Sequence, residues 1–302
     1  MKWNIVTLRP VWYTLSGLVI AASIVALAVW GLRLGIDFTG GSLLAARFTT
    51  QPTAVEVQQV LDSSNLDLGS IVVQPVGEKD VQVRLKNLTE DQHQQVLTAL
   101  RAKFGTVTEL RFDAIGPVIG QELRQKSIQG LIIVLIAIML YIAIMFRKVS
   151  YPVKSWKYGL VTIFTAFHDV IVPIGVFAWL GHYYGVEIGT PFIAAILTIL
   201  GYSVTDTVVV MDRVRENLSR MSGTFGEIVA TSVRQTLLRS FSTSMTTLLA
   251  LIAIHFWGGE SLREFTLTLI IGIAVGTYSS IFIASPLLVT WHRWNNRKEV
   301  KA

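Results

Sequence analysis

The sequence predicts an α-helical polytopic membrane protein of six transmembrane helices, carrying a small α+β ferredoxin-like domain on the extracytoplasmic side. Three observations point there. Apolar residues make up 52% of the 302 residues and charged residues only 15%, against roughly 25% charged in an ordinary soluble domain. The apolar residues gather into six long runs. One interval, between the first run and the second, breaks into alternating strand-like and helix-like patterns.

A spanning helix needs about 20 mostly apolar residues to cross roughly 30 Å of hydrocarbon. The runs that qualify are 11–32, 128–146, 158–180, 190–211, 243–257 and 265–291. The first follows Lys2 and Arg9 and ends in Gly31-Leu32-Arg33. It is longer than the about 7–15 apolar residues of a signal peptide, so a retained anchor is expected. The fifth is short and is expected to borrow residues from Arg239 onward. The sixth is long enough to tilt or to continue past the bilayer. The domain boundaries expected from this pattern are 1–32, 33–127, 128–291 and a cytoplasmic tail at 292–302.

Orientation follows from Lys and Arg in the short loops. One side carries Lys2, Arg9, Arg147, Lys148, Lys154, Lys157, Arg213, Arg215, Arg220, Arg234, Arg239, Arg293, Arg297, Lys298 and Lys301. The opposite short loops, 181–189 and 258–264, carry only Arg263. Both termini are therefore expected in the cytoplasm and residues 33–127 outside it. The net charge of +6 is accounted for by these flanking residues, so a lipid bilayer rather than nucleic acid is the expected partner. The chain has no cysteine, which excludes disulfides, thiol catalysis and cysteine metal sites.

Within 33–127, strands are expected at 42–48, 71–76, 81–85 and 106–112, and helices at 53–63 and 89–104. Thr53 and Glu56 make a capping box ahead of the face formed by Val57, Val60 and Leu61. Residues 81–85 alternate Val, Gln, Val, Arg, Leu, and the second helix turns Val96, Leu97, Leu100 and Phe104 inward. The order β-α-β-β-α-β is the ferredoxin-like pattern, which names no function. No nucleophile stands beside a partnered base. His93 reads as a solvated residue on the polar face of its helix, since a metal ligand needs companions. Gly40-Gly41 lacks the strand–helix context of a nucleotide fingerprint, and there is no Walker A pattern. No cofactor, metal or enzymatic activity is expected.

The candidate functional residues are those that hydrocarbon should exclude. A charge at a helix centre costs roughly 2.5–3.5 kcal/mol on insertion scales and usually faces the bundle interior. Asp206 lies within Gly201-Tyr202-Ser203-Val204-Thr205-Asp206-Thr207, with Tyr202 one turn before it. It reads either as a protonatable carboxylate in a proton path or as a structural carboxylate near the cytoplasmic surface. His168 and Asp169 form a second site, read either as part of that path or as an interior pair fixing helix register. Arg239 is either the cation modulating Asp206 or a positive-inside anchor. Ser240, Ser242, Thr243, Ser244, Thr246 and Thr247 make the fifth span hydroxyl-rich. With Gly272 and Gly276 they read first as close-packing faces.

These residues, taken with three further segments, resemble the SecD/SecF family, and its SecF branch in particular. The segments are Ile36-Asp37-Phe38-Thr39-Gly40-Gly41, Gly116-Pro117-Val118-Ile119-Gly120-Gln121-Glu122-Leu123 and Phe167-His168-Asp169. The stretch from Gly201 to Asn217 is the most specific, and residues 235–240 fit the motif before the fifth span. The family usually has Asn at Thr205, Phe at Met211, Asn at Arg234, Ser at Leu238 and Thr at Ser240. The resemblance implies half of a resistance-nodulation-division (RND) type bundle in a bacterial-type plasma (inner) membrane. It implies pairing with SecD and, beside the Sec translocon channel, use of the proton-motive force to promote export of an unfolded polypeptide. Asp206 would carry the proton, with Arg239 as its charge partner and His168 and Asp169 beside them. The rival expectations are a passive assembly subunit and a proton-driven small-molecule exporter.

Overall fold

A computed structural model describes residues 5–145, 153 and 155–299. Phe146, Arg147, Lys148, Lys154, Lys2 and Lys301, invoked above for a span end and for topology, lie outside them. The described residues contain six helices long and apolar enough to cross a membrane. They divide into two units. One comprises the described residues within Met1–Leu32, Gly130–Val186 and Pro191–Ala302, and the other Arg33–Gln129 with Glu187–Thr190.

Chain order begins with α1 (Arg9–Trp30) and then enters the second unit. There a one-turn helix α2 (Ile36–Thr39) leads to β1 (Gly41–Phe48), α3 (Ala54–Asp62), β2 (Val72–Val76), β3 (Asp80–Leu85), α4 (Glu90–Phe104) and β4 (Val107–Ile115). The four strands form one antiparallel sheet in the order β2-β3-β1-β4, which is the split β-α-β arrangement of the ferredoxin-like fold. Period-2 alternation buries Leu44, Ala46 and Phe48 of β1 and Val81, Val83 and Leu85 of β3. These pack on Val57 and Leu61 of α3 and Val96, Leu97 and Leu100 of α4. Both helices begin on capping boxes, Thr53 with Glu56 and Thr89 with Gln92.

His93 departs from its expected place. It is 3% exposed, stacks on Phe112 at 3.7 Å, and sets Nδ1 3.2 Å from Glu90 and Nε2 3.5 Å from Glu109. The reason is spacing. Positions 93, 96, 97 and 100 make one helical stripe, and the histidine fills its first place.

At the edge of the sheet's centre, Arg47 donates to both carboxylate oxygens of Asp80 at 2.7 and 2.8 Å. That hydrogen bond and charge hold the Asp80 carboxyl below the ordinary aspartate range. A depressed folded-state value stabilises the fold above the unfolded value of about 3.9, and the contribution vanishes as pH falls through the folded value. Asp80→Asn is expected to cost under about 1 kcal/mol, because the pair is partly exposed. It should also flatten the acid side of the sheet's stability profile below about pH 4, measured by amide exchange on β1 and β3.

The first unit holds the apolar bundle. It contains the membrane part of α5 (Pro117–Met145), α6 (Ser155–Tyr184), most of α7 (Thr190–Arg220), α8 (Phe225–Trp257), α9 (Arg263–Ser279) and α10 (Ser285–Glu299). A single π-helical turn, Ser280–Ala284, joins the last two, so the long sixth run is one interrupted helix. Its Ser285 hydroxyl donates to the Ser280 carbonyl, five residues back, at 3.3 Å. Helices α7 and α8 also extend well beyond their apolar runs. Arg213–Glu216, Arg215–Asp212 and Arg220–Glu216 pairs, at i,i+3 and i,i+4 spacing, support the polar end of α7. A Thr224–Glu227 capping box opens α8. Asn217 ties the two extensions, donating to Ser232 at 2.8 Å and Gln235 at 2.9 Å.

Aromatic groups mark both ends of the bundle, as expected at membrane–water boundaries. Trp30 stacks on His182 at 5.1 Å, beside Tyr183. At the other end Lys157 lies 5.8 Å from the Trp156 ring and 5.6 Å from the Trp291 ring. Where α1 crosses α6, Gly175 lets the backbones meet: a Cβ there would lie 2.4 Å from the Ser23 Cα. Gly175→Ala is therefore expected to cost about 1–3 kcal/mol through overpacking. Gly17→Ala, whose Cβ would meet nothing within 4 Å, should be neutral. Thermal unfolding of the detergent-solubilised protein distinguishes them.

Candidate functional site

Two polar centres lie inside the bundle. The first is Asp169 of α6, which is fully buried. Its Oδ2 accepts hydrogen bonds from Ser203 of α7 and from Ser279 of α9, the latter at 2.7 Å. Its Oδ1 lies 2.8 Å from Nδ1 of the neighbouring His168, itself buried. Adjacent helix positions diverge by about 100°, and here the two side chains still meet because the imidazole folds back onto the carboxylate. The small-residue face of α9 makes this possible. Gly272 sits against Ile199, and Gly276 lies beside Ser203 and the Asp169 carboxylate. Every oxygen of Asp169 thus has a partner, and three helices are pinned to one carboxylate.

The second centre is Asp206, one turn further along α7 and 8% exposed. It contrasts with Asp169. Its Oδ2 is buried without a hydrogen-bond partner, as are Oγ1 of Thr207 and Oγ of Ser240. Ser240 and Arg239 of α8 are the polar groups that act on the carboxylate. The Ser240 hydroxyl faces it outside hydrogen-bonding geometry, and Arg239 is exposed. Such orphaned buried atoms are uncommon and costly, and they mark places where something else binds or moves.

The other residues of the seam divide. Tyr202 donates to Ser244 of α8 at 3.4 Å, and Ser244 accepts from Thr277 of α9 at 2.6 Å, so a hydroxyl chain links three helices. Thr205 and Thr243 instead turn outward and bond their own helices, to the Gly201 carbonyl at 2.8 Å and the Arg239 carbonyl at 2.6 Å.

The glycine-rich segments meet in the second unit. Gly40 has φ +71° and Gly41 φ +125°, which L-residues resist. A Cβ on Gly40 would lie 2.8 Å from the Cα of Pro117, and one on Gly41 2.7 Å from the Leu85 carbonyl oxygen. A Cβ on Gly120 would lie 2.8 Å from the Gly40 nitrogen, whereas one on Gly116 would meet nothing. Gly40, Pro117 and Gly120 thus form one joint where α5 leaves the sheet, while Gly41 lies against β3. Asp37 does something the spacing did not reveal. Its Oδ2 accepts from the Thr190 backbone N–H at 2.6 Å and the Thr190 hydroxyl at 2.8 Å. It therefore caps the N-terminus of α7, where a carboxylate is favoured by about 0.3–1 kcal/mol. The signal was invisible because 153 residues separate the two.

Comparison with known proteins agrees with this geometry. The family description "Protein export membrane protein SecD/SecF, C-terminal" matches residues 95–294, and "SecD/SecF GG Motif" matches residues 25–52. The chain belongs to the SecD/SecF family. It is 41% identical to the protein translocase subunit SecF of Thermobaculum terrenum, over 95% of this chain and 93% of that one. It is 37% identical to SecF of Synechocystis, over 98% and 95% respectively. The crystal structure of SecDF, a translocon-associated membrane protein from Thermus thermophilus, superimposes with a TM-score of 0.84 at 31% identity. It covers 97% of this chain, which spans 39% of SecDF. A second SecDF crystal structure, in a super-membrane-facing form, gives a TM-score of 0.70 at 32% identity. In this chain, Asp206 thus lies on a helix whose first residue is capped from the segment that matches the GG motif.

Proposed function

We propose that this chain is an accessory subunit of the Sec protein translocase that pairs with SecD and uses the proton-motive force to promote export of unfolded polypeptides. The observation that carries the reading is the unsatisfied Asp206 carboxylate, buried in a membrane-spanning helix and facing Ser240 and the Arg239 charge. A carboxylate whose buried Oδ2 has no protein hydrogen bond can gain and lose a proton at that oxygen without dismantling a hydrogen-bond network. Asp169 is the opposite case: fully bonded, it fits the role of fixing the register of α6, α7 and α9 around the coupling residue, with His168 orienting it. Pairing with SecD is supported by the SecDF relative, in which a region like this chain forms 39% of a longer polypeptide. Both termini lie in the cytoplasm of a bacterial-type plasma membrane, and the ferredoxin-like unit faces outward, on the loop-charge argument.

The test is export of a translocation intermediate in inverted membrane vesicles containing the full complex, with a proton gradient imposed or collapsed. Export that responds to the proton gradient supports the reading. Response to a sodium gradient alone would transfer the coupling to Na⁺, and response to neither would leave a scaffold.

A further inference from the structure

We infer that Arg84 and Glu187 are positioning residues, forming with Asp37 a clasp that holds the start of the Asp206 helix to the sheet of the outer unit. The short segment Glu187–Thr190 belongs to that unit although it connects two membrane spans. It is added to the unit as an extra extended strip. The Gly35 N–H donates to the Ile188 carbonyl at 2.9 Å, and the Ile188 N–H donates to the Arg33 carbonyl at 2.8 Å.

One guanidinium fastens this strip. Arg84, on β3, donates through Nη1 to Glu187 at 2.7 Å and to the Leu34 carbonyl at 3.2 Å. Through Nη2 it donates to the Thr39 hydroxyl, which itself bonds the Gly35 carbonyl at 3.0 Å. Three acceptors from two chain segments therefore share one planar fork, an arrangement that a lysine point charge does not reproduce. Arg84 and Glu187 are both only partly exposed, at 23% and 29%, so the pair is less screened than a surface bridge. Three residues beyond Glu187, Thr190 opens α7 under the Asp37 cap. Asp206 is sixteen residues further along that helix, about 24 Å at 1.5 Å per residue. Asp206 and the residue that Asp37 caps therefore lie on one continuous helix.

The functional side of the test rests on the coupling role proposed for Asp206, while the structural side does not. Arg84→Gln, Glu187→Gln and the milder Arg84→Lys are compared with Asp206→Asn in the intact complex. Amide exchange at Gly35, Ile188 and Thr190 reads the clasp, and export with and without an imposed gradient reads coupling. We expect faster exchange at these amides in the Arg84 and Glu187 variants. We also expect a gradient-stimulated component of export reduced by about fivefold or more, the lower range of coupling between sites. Membrane abundance and gradient-independent export should match wild type, which a merely structural lesion would not allow. Unchanged exchange at the three amides overturns the clasp. Faster exchange with full gradient response, while Asp206→Asn loses it, overturns its part in coupling and leaves the role of Asp206 standing. Full gradient response in Asp206→Asn as well overturns the reading of that residue, and the amides then decide the clasp alone.

Discussion

Asp206→Asn is expected to abolish gradient-stimulated export while leaving membrane abundance and co-purification with SecD at wild-type levels. The asparagine keeps the size of the side chain and removes the titratable proton. Stability should change little, because the buried Oδ2 has no hydrogen bond to lose. The functional loss should be large. A charge crossing the membrane potential is worth about 2.3 kcal/mol per 100 mV, which biases a two-state equilibrium roughly fiftyfold. Asp206→Glu retains the proton while shifting the carboxyl by one methylene, and should keep part of the response. Wild-type response in Asp206→Asn would sink the coupling role, and the same loss in Asp206→Asn and in an Asp206→Glu variant of equal abundance would show that position outweighs titration.

The second large effect is expected at the joint between the sheet and α5. Gly120→Ala places a methyl 2.8 Å from the Gly40 nitrogen and 3.3 Å from the Phe38 carbonyl group. These are backbone atoms, so no side chain can rotate away, and overpacking should cost about 1–3 kcal/mol or more. Gly40→Ala adds a positive φ of +71° to a 2.8 Å approach to Pro117, a further about 1–2 kcal/mol. Gly116→Ala has open space and ordinary backbone conformation and should be tolerated. Losses of this size lower steady-state abundance several-fold, so quantitative blotting of membranes from the three variants suffices. Equal abundance of Gly116→Ala and Gly120→Ala would show that the joint opens freely.

The parts of this architecture that could be read from sequence are those decided by neighbours in the chain. The six spans followed from apolar runs, and the sheet from alternation such as 81–85. Asp206 stood out because a lone carboxylate in an apolar helix is conspicuous whatever surrounds it. The satisfaction of Asp169 was not legible, since it depends on Ser279, 110 residues away. Nor was the Arg84–Glu187 pair, separated by 103 residues. His93 is buried for a different reason: its place in the 93, 96, 97, 100 stripe outweighs its polarity. Helices α7 and α8 outrun their apolar runs because hydropathy marks only apolar sequence, while salt-paired and capped polar turns extend the helix.

The π turn at Ser280–Ala284 carries one further meaning, which concerns phase. Each residue advances a helix by about 100°, so a turn holding one surplus residue rotates everything after it relative to everything before it. Upstream, Gly272, Gly276 and Ser279 face α7 and the Asp169 carboxylate. Downstream, Leu288 and Val289 fill the core shared with Val229 and Val233. A regular helix could not aim both sets correctly. The surplus residue lets one span serve two differently oriented surfaces, the α7-facing set before the turn and the α8-facing set after it.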